Sequence, residues 1–454
     1  MAAAHDDASW NFAHGHLEVS ANRHFLVHAD GAPFFWLGDT AWELFHRLNL
    51  NEAELYLENR RAKGFTIIQA VCLAEHGGLV EPNAYGHTPL IENDPARPDV
   101  RAEGDYWSHV DAIILIAEQK GLYVGLLPTW GDKVTKGWGE GPEVFTPVNA
   151  LAYGRFLGTR YRESPNIIWI LGGDRNEEGK RLIWEAMADG LQDGDGGRKL
   201  IGYHPQGGSS SSSFFQDAPW LAFNMLQSGH SQRDEPNYRA IERDYHLEPV
   251  KPCVDGEPRY EDHPIGFNPE NGWFDDYDVR QAAYWALFSG AFGHTYGCHD
   301  VWQFYSPGRA PISHTRTPWQ EAVDLPGASQ MIHARRLMLS RPFLSRIPDQ
   351  SLIGSGQGEG AGHARATRSD DGSYAFIYLP TGRPVSADLA RLSGMTTNAW
   401  WYDPRTGEST TIGRLATSGQ RQFTPPSSGR GRDWVLVLDD ASHYFPAPGT
   451  VDAE

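Results

Sequence analysis

Leu122-Tyr123-Val124-Gly125-Leu126-Leu127, then Thr146-Pro147 opening a run to Tyr161, then Ile167-Ile168-Trp169-Ile170-Leu171, is the stretch that decides the fold. Both apolar runs are short and lack strict alternation. That is the pattern of parallel strands covered by helices on their outer face. Between them Thr146 is placed to cap a helix and Pro147 to occupy its first position. The unit therefore reads strand, helix, strand.

The same unit recurs on either side. Strands are predicted at residues 34–37, 66–73, 122–127, 167–171, 200–203, 221–225, 252–255 and 291–296. Helices are predicted at residues 51–63, 106–120, 146–161, 277–289 and 328–340, the first from a capping Asn51 to a stop at Gly64. The fifth unit is weak, because Gly207 to Ser213 is a flexible run. Eight strands interleaved with helices over about 300 residues imply a (β/α)8 TIM barrel. An open doubly wound sheet is the alternative. No Gly-rich phosphate fingerprint follows the first strand, which argues against it.

After Arg341 the texture changes. Residues 364–367, 374–379, 398–402, 409–412 and 434–438 look like strands, with turns at Asp371-Gly372 and Thr406-Gly407. This tail reads as a small antiparallel β-sandwich. The expected organisation is a catalytic barrel with an N-terminal arm over residues 1–341 and the sandwich over residues 342–454.

Composition narrows the function classes. The 454 residues are 40% hydrophobic and 21% charged, with a net charge of −19. So acidic a chain is a poor match for a phosphate backbone, and no nucleic-acid partner is expected. No apolar run approaches the ~20 residues of a membrane span, so no membrane partner is expected either. Residues 1–10 lack a basic segment followed by an apolar run, which predicts no signal peptide and favours a cytoplasmic location. Cys72, Cys253 and Cys298 form no disulfide framework and are expected as buried thiols. Sixteen Trp fit either a core or sugar-stacking surfaces. Trp169 and Trp285 look like core; Trp130, Trp138, Trp273 and Trp302 look like loop residues.

A barrel carries its active site at the C-terminal ends of its strands. Asp174 follows the fourth strand and Glu257 the seventh. Two carboxyl groups across a barrel mouth suit a retaining glycosidase. One protonates the departing oxygen, and the other attacks the anomeric carbon. The plain alternative is that each acid caps the next helix. Glu177, in Asn176-Glu177, is a rival acid, but it lies three residues further on, where a helix N-terminus favours a carboxylate anyway. Around the pair, Asp39, Trp42, Glu75, His76, Trp130, Tyr203, His204, Gln227, His230, Arg259, Tyr260, His299 and Trp302 are the candidate substrate-binding residues. Asp39 could equally cap the first helix, and Arg259 could pair with Glu261 or Asp262. No paired Cys or helical His pair supports a metal, and no cofactor is expected.

Several of these segments carry a family likeness. Trp36-Leu37-Gly38-Asp39-Thr40-Ala41-Trp42, Trp169-Ile170-Leu171-Gly172-Gly173-Asp174 and Gly256-Glu257-Pro258-Arg259-Tyr260-Glu261 resemble the apiosidase-like glycoside hydrolases, family 140. His204-Pro205, Gln227-Ser228-Gly229-His230 and Thr295-Tyr296-Gly297 fit as well. The tail, with Tyr374 to Tyr378 and Trp400 to Gly407, resembles that family's C-terminal sandwich, which has been labelled a collagen-binding domain. The likeness implies a retaining hydrolase with Asp174 as acid/base and Glu257 as nucleophile. It also implies a plant-derived glycan or glycoside as substrate, with apiosyl linkages in pectin as the founding case. A transglycosylase on the same scaffold and a non-catalytic carbohydrate-binding protein are the alternatives. The oligomeric state is left open.

Overall fold

A computed structural model describes residues 12–451. The stretch read for a signal peptide lies outside the described residues. Eight parallel strands build the barrel: β1 (Trp36–Thr40), β2 (Ile67–Val71), β3 (Tyr123–Leu127), β4 (Ile167–Gly172), β5 (Ile201–His204), β6 (Asn224–Gln227), β7 (Cys253–Asp255) and β8 (Gly293–Tyr296). Ladders join them in the order β5-β4-β3-β2-β1-β8-β7-β6. The remaining junction, β5 to β6, carries a parallel bridge between Ile201 and Leu221, and Ala222 N–H donates to Ile201 O at 2.8 Å. Every barrel-strand residue is buried, as expected when side chains fill the interior and helices cover the outside.

The helices between them are α1 (Leu50–Ala62), α2 (Tyr106–Gln119), α3 (Pro147–Arg160), α4 (Arg181–Asp195), α5 (Ser212–Phe215), α6 (Asn237–Tyr245), α7 (Asp276–Phe288) and α8 (Pro326–Leu339). The cap of α3 is as read: Thr146 accepts from Asn149 N–H, and Asn149 returns the bond. The cap of α1 is Asn49, not Asn51. Glu52 lies three residues after Asn49 and completes a reciprocal capping box, which Asn51 cannot do. The first strand is also displaced. Phe34 belongs to a small antiparallel sheet of Leu17–Val19, Leu26–His28 and Pro33–Phe34 that lies ahead of the barrel.

The C-terminal strands are β9 (Arg346–Pro348), β10 (Ile353–Ser355), β11 (Arg365–Ser369), β12 (Tyr374–Leu379), β13 (Val385–Asp388), β14 (Thr396–Tyr402), β15 (Ser409–Ala416), β16 (Gln420–Phe423) and β17 (Trp434–Asp440). They form a six-stranded sheet, β9-β11-β12-β17-β14-β15, facing a three-stranded one, β10-β13-β16. Strand alternation divides the six-stranded sheet between two cores. Ala375, Ile377 and Leu379 of β12 join the sandwich core, while Tyr374, Phe376 and Tyr378 join the barrel core. There Tyr378 stacks on Tyr284 of α7, with centroids 4.9 Å apart. This explains why α7 is buried on all sides from Tyr277 to Phe288.

The three cysteines are buried free thiols, and Trp169 and Trp285 are fully buried. Among the described residues no helix is long and apolar enough to cross a membrane.

Candidate active site

Strand β4 ends on Gly172-Gly173, and the next residue is Asp174. All three have positive φ, at 85°, 111° and 54°. A Cβ on Gly172 would stand 2.2 Å from the His204 carbonyl, and one on Gly173 would stand 2.8 Å from the Trp130 ring. The glycine pair lets the strand end press between β5 and the Trp130 loop. Asp tolerates this left-handed region better than most residues. The turn brings Asp174 N–H to His204 Nδ1 at 3.2 Å. By that network Nδ1 accepts, so His204 carries its proton on Nε2.

Glu257 follows β7 and meets the other side of the same ring. His204 Nε2 lies 2.9 Å from Glu257 Oε2, within ion-pair range though poorly aligned for a hydrogen bond. His230 Nε2 donates to Oε1 at 3.1 Å. Burial alone would raise the Glu257 carboxyl. His204 and then His230 reverse that and hold it down at about 2. Asp174 moves the other way. Burial first, and then the charge of Glu257, push it up to about 6, against the pull of His204 and Arg175. Between about pH 2 and pH 6, therefore, Glu257 is ionised while Asp174 keeps its proton.

Both open into a cavity of about 500 Å³ at the C-terminal end of the barrel. Trp42, Glu75, His76, Trp130, Gln227, His230, Tyr260, His299 and Trp302 line it, all expected from the sequence. Trp42 and Trp130 pack with centroids 5.0 Å apart, and Trp42 donates to the Tyr260 hydroxyl at 3.2 Å. Burial, then Asp132 and Asp174, push Glu75 up to about 8, so at neutral pH it offers a proton. His76 is held by Glu140 at 3.1 Å. Among the described residues no group of three or more His, Cys, Asp or Glu is arranged to hold a metal ion.

Residues 20–345 match the family model described as "Apiosidase-like, catalytic domain". The chain belongs to the apiosidase-like family. Residues 347–439 of this apiosidase-like chain match a second model, described as "Putative collagen-binding domain of a collagenase". One solved structure, named a glycoside hydrolase, is 38% identical and superposes with a TM-score of 0.89 over 95% of this chain and 98% of its own. Another, named a family 5 glycoside hydrolase from Bacteroides vulgatus ATCC 8482, is 36% identical, with a TM-score of 0.90 over 98% of this chain and 97% of its own. No curated protein matches the chain. The TIM barrel with its β-sandwich is thus the fold of glycoside hydrolases, and hydrolysis of a glycoside is the activity class of the family.

Four expected substrate-binding residues of the apiosidase-like site are absent from the cavity wall: His204, fully buried against Glu257, and Asp39, Tyr203 and Arg259, which lie away from it. Asp39 faces the helix layer, where Tyr56 and Arg60 both bind its carboxylate at 2.5 Å. On β1 the side chains alternate, and Asp39 is on the outer face. Tyr203 is fully buried and donates to the Arg175 carbonyl at 2.9 Å. Arg259 is buried under Trp285 and donates to the Arg233 carbonyl, so neither Glu261 nor Asp262 is its partner. Its neighbour Tyr260 points into the cavity instead. Glu177 is a helix-end residue, its carboxylate accepting from Arg181 N–H at 3.1 Å.

Other lining residues were not read from the sequence. His263 stacks on His230 and meets His299 edge-on, with centroids 4.5 and 4.3 Å away. Burial, then those two rings, push it far below the usual histidine range. The signal for it was its place six residues after Glu257 in the same loop. Gln206 and Phe267 also line the cavity, as does Trp138, which the sequence marks only as a loop tryptophan.

Proposed function

We propose that this chain is a retaining glycosidase acting on an apiosyl or related linkage of a plant-derived glycan, pectin included. The observation that carries this reading is that Asp174 and Glu257 line one cavity, with burial and Glu257 raising the Asp174 carboxyl and His204 and His230 lowering that of Glu257. Glu257 attacks the anomeric carbon and forms the glycosyl-enzyme. Asp174 gives its proton to the departing oxygen and then takes one from the attacking water. His204 and His230 keep the nucleophile charged and fixed. Glu75 and the indole rings of Trp42 and Trp130 line the space a sugar would fill. The sandwich, residues 342–454, braces the barrel, residues 1–341.

The test is product analysis on apiosides and pectic oligosaccharides. Retained anomeric configuration by NMR is expected. Inverted product would overturn the nucleophilic role of Glu257. Azide should rescue Glu257→Ala and give the inverted glycosyl azide.

A further inference from the structure

Most rings of the cavity wall are buried, but Trp138 is 59% exposed. Its place is set from beneath. The Arg175 guanidinium carbon lies 3.9 Å from the ring centroid. Arg175 itself is fully buried and donates to the carbonyls of Thr135 at 3.0 Å, Lys136 at 2.9 Å and Asp174 at 2.7 Å. These bonds tie the Trp138 loop to the end of β4. A Cβ on the adjacent Gly139 would stand 2.4 Å from the Asp132 side chain, so the loop lies close against its neighbours. In this position the indole Nε1–H donates to Asp174 Oδ2 at 3.2 Å, the shorter of two bonds to that oxygen, the other coming from Arg175 Nη1 at 3.4 Å.

We infer that Trp138 is a positioning residue for the carboxyl group of Asp174, and that the face of its ring turned away from Arg175 receives the leaving group. This rests on the proposed acid/base role of Asp174. A neutral carboxyl group can carry its proton on either oxygen. A donor facing Oδ2 makes that oxygen an acceptor and leaves the proton on Oδ1. After the first step Asp174 is ionised, and the same N–H bond becomes charge-assisted and stronger. The bond therefore favours the charged form and opposes the upward push of burial and Glu257.

Two measurements on the full-length protein test this. The first needs no substrate. With 15N-labelled tryptophan, the Trp138 indole N–H resonance is identified by its loss in Trp138→Phe. It should move with pH in the wild type and stay flat in Asp174→Asn. A resonance flat in both, or titrating in both, overturns the proposal. The second compares phenyl and 4-nitrophenyl apiofuranosides. Trp138→Phe keeps a ring and loses the donor. Its kcat should fall about 10-fold on the phenyl glycoside and less on the nitrophenyl one, with KM nearly unchanged. The basic limb of its pH profile should rise by about half to one unit. Trp138→Ala should raise KM as well. An unmoved basic limb, or equal loss on both glycosides, overturns the positioning role. A normally active Asp174→Ala would instead defeat the acid/base reading and leave the resonance test standing.

Discussion

Glu257 and Asp174 differ in their partners more than in their burial. Glu257 has two imidazoles on its oxygens. Asp174 Oδ2 accepts instead from the Trp138 indole N–H at 3.2 Å and from Arg175 Nη1 at 3.4 Å. The proposed mechanism needs Glu257 ionised and Asp174 protonated. With Glu257 held at about 2 and Asp174 at about 6, kcat/KM should plateau between those values and fall above pH 6 as Asp174 loses its proton. A profile rising through pH 7 would oppose this assignment. Glu257→Gln and Asp174→Asn should each lower turnover about 10³-fold or more with circular dichroism unchanged, because each removes a covalent or proton-transfer role. Glu177→Gln should leave the rate nearly intact, since its carboxylate serves the backbone of α4. Equal damage from Glu177→Gln would reassign the acid.

At the scale of elements, the strand-helix alternation was legible because each unit carries local chemistry. Thr146-Pro147 announces α3, and Gly172-Gly173 announces the end of β4. Thr146→Ala should cost about 1 kcal/mol in a denaturant titration, because it breaks the reciprocal bonds with Asn149. What was not legible was the direction of side chains at strand ends. Arg259 and Tyr260 are adjacent and both polar-tipped, yet only Tyr260 faces the cavity. Asp39 fits a sugar-binding slot until Arg60, a full helix away in sequence, takes its carboxylate. The histidine row of His230, His263 and His299 is assembled from three chain segments far apart in sequence, so that His230 and His299 could be read singly but not as neighbours of His263.

For the whole molecule, the sandwich is bound to the barrel by buried charge as well as by rings. Arg280 of α7 holds Asp433 through bonds of 3.0 and 2.8 Å, and Arg341 holds Asp439 through two of 2.8 Å. Arg280→Ala leaves Asp433 buried beside the Tyr378 hydroxyl alone, and should destabilise the chain by about 3–5 kcal/mol. The pair Arg280→Met with Asp433→Leu should recover most of that loss. Thermal unfolding should show one transition, since Phe376 and Tyr378 belong to the barrel core. Two separated transitions would mean that the sheet docks without stabilising the barrel.

The junction of β5 and β6 has a consequence for how the barrel opens. It carries one parallel bridge, between Ile201 and Leu221, and Ser209–Ser210 pairs antiparallel with Leu226–Gln227 beside it. In native-state hydrogen exchange the Ala222 amide should exchange before the Val124 amide, which sits inside the continuous run of ladders and donates to Asn166 O at 2.7 Å. The same place is where new chain ends would be tolerated. A circular permutant cut between Gly207 and Gly208 should still fold, while its fraying would be felt first at His204, which accepts from the Asp174 N–H and faces the Glu257 carboxylate.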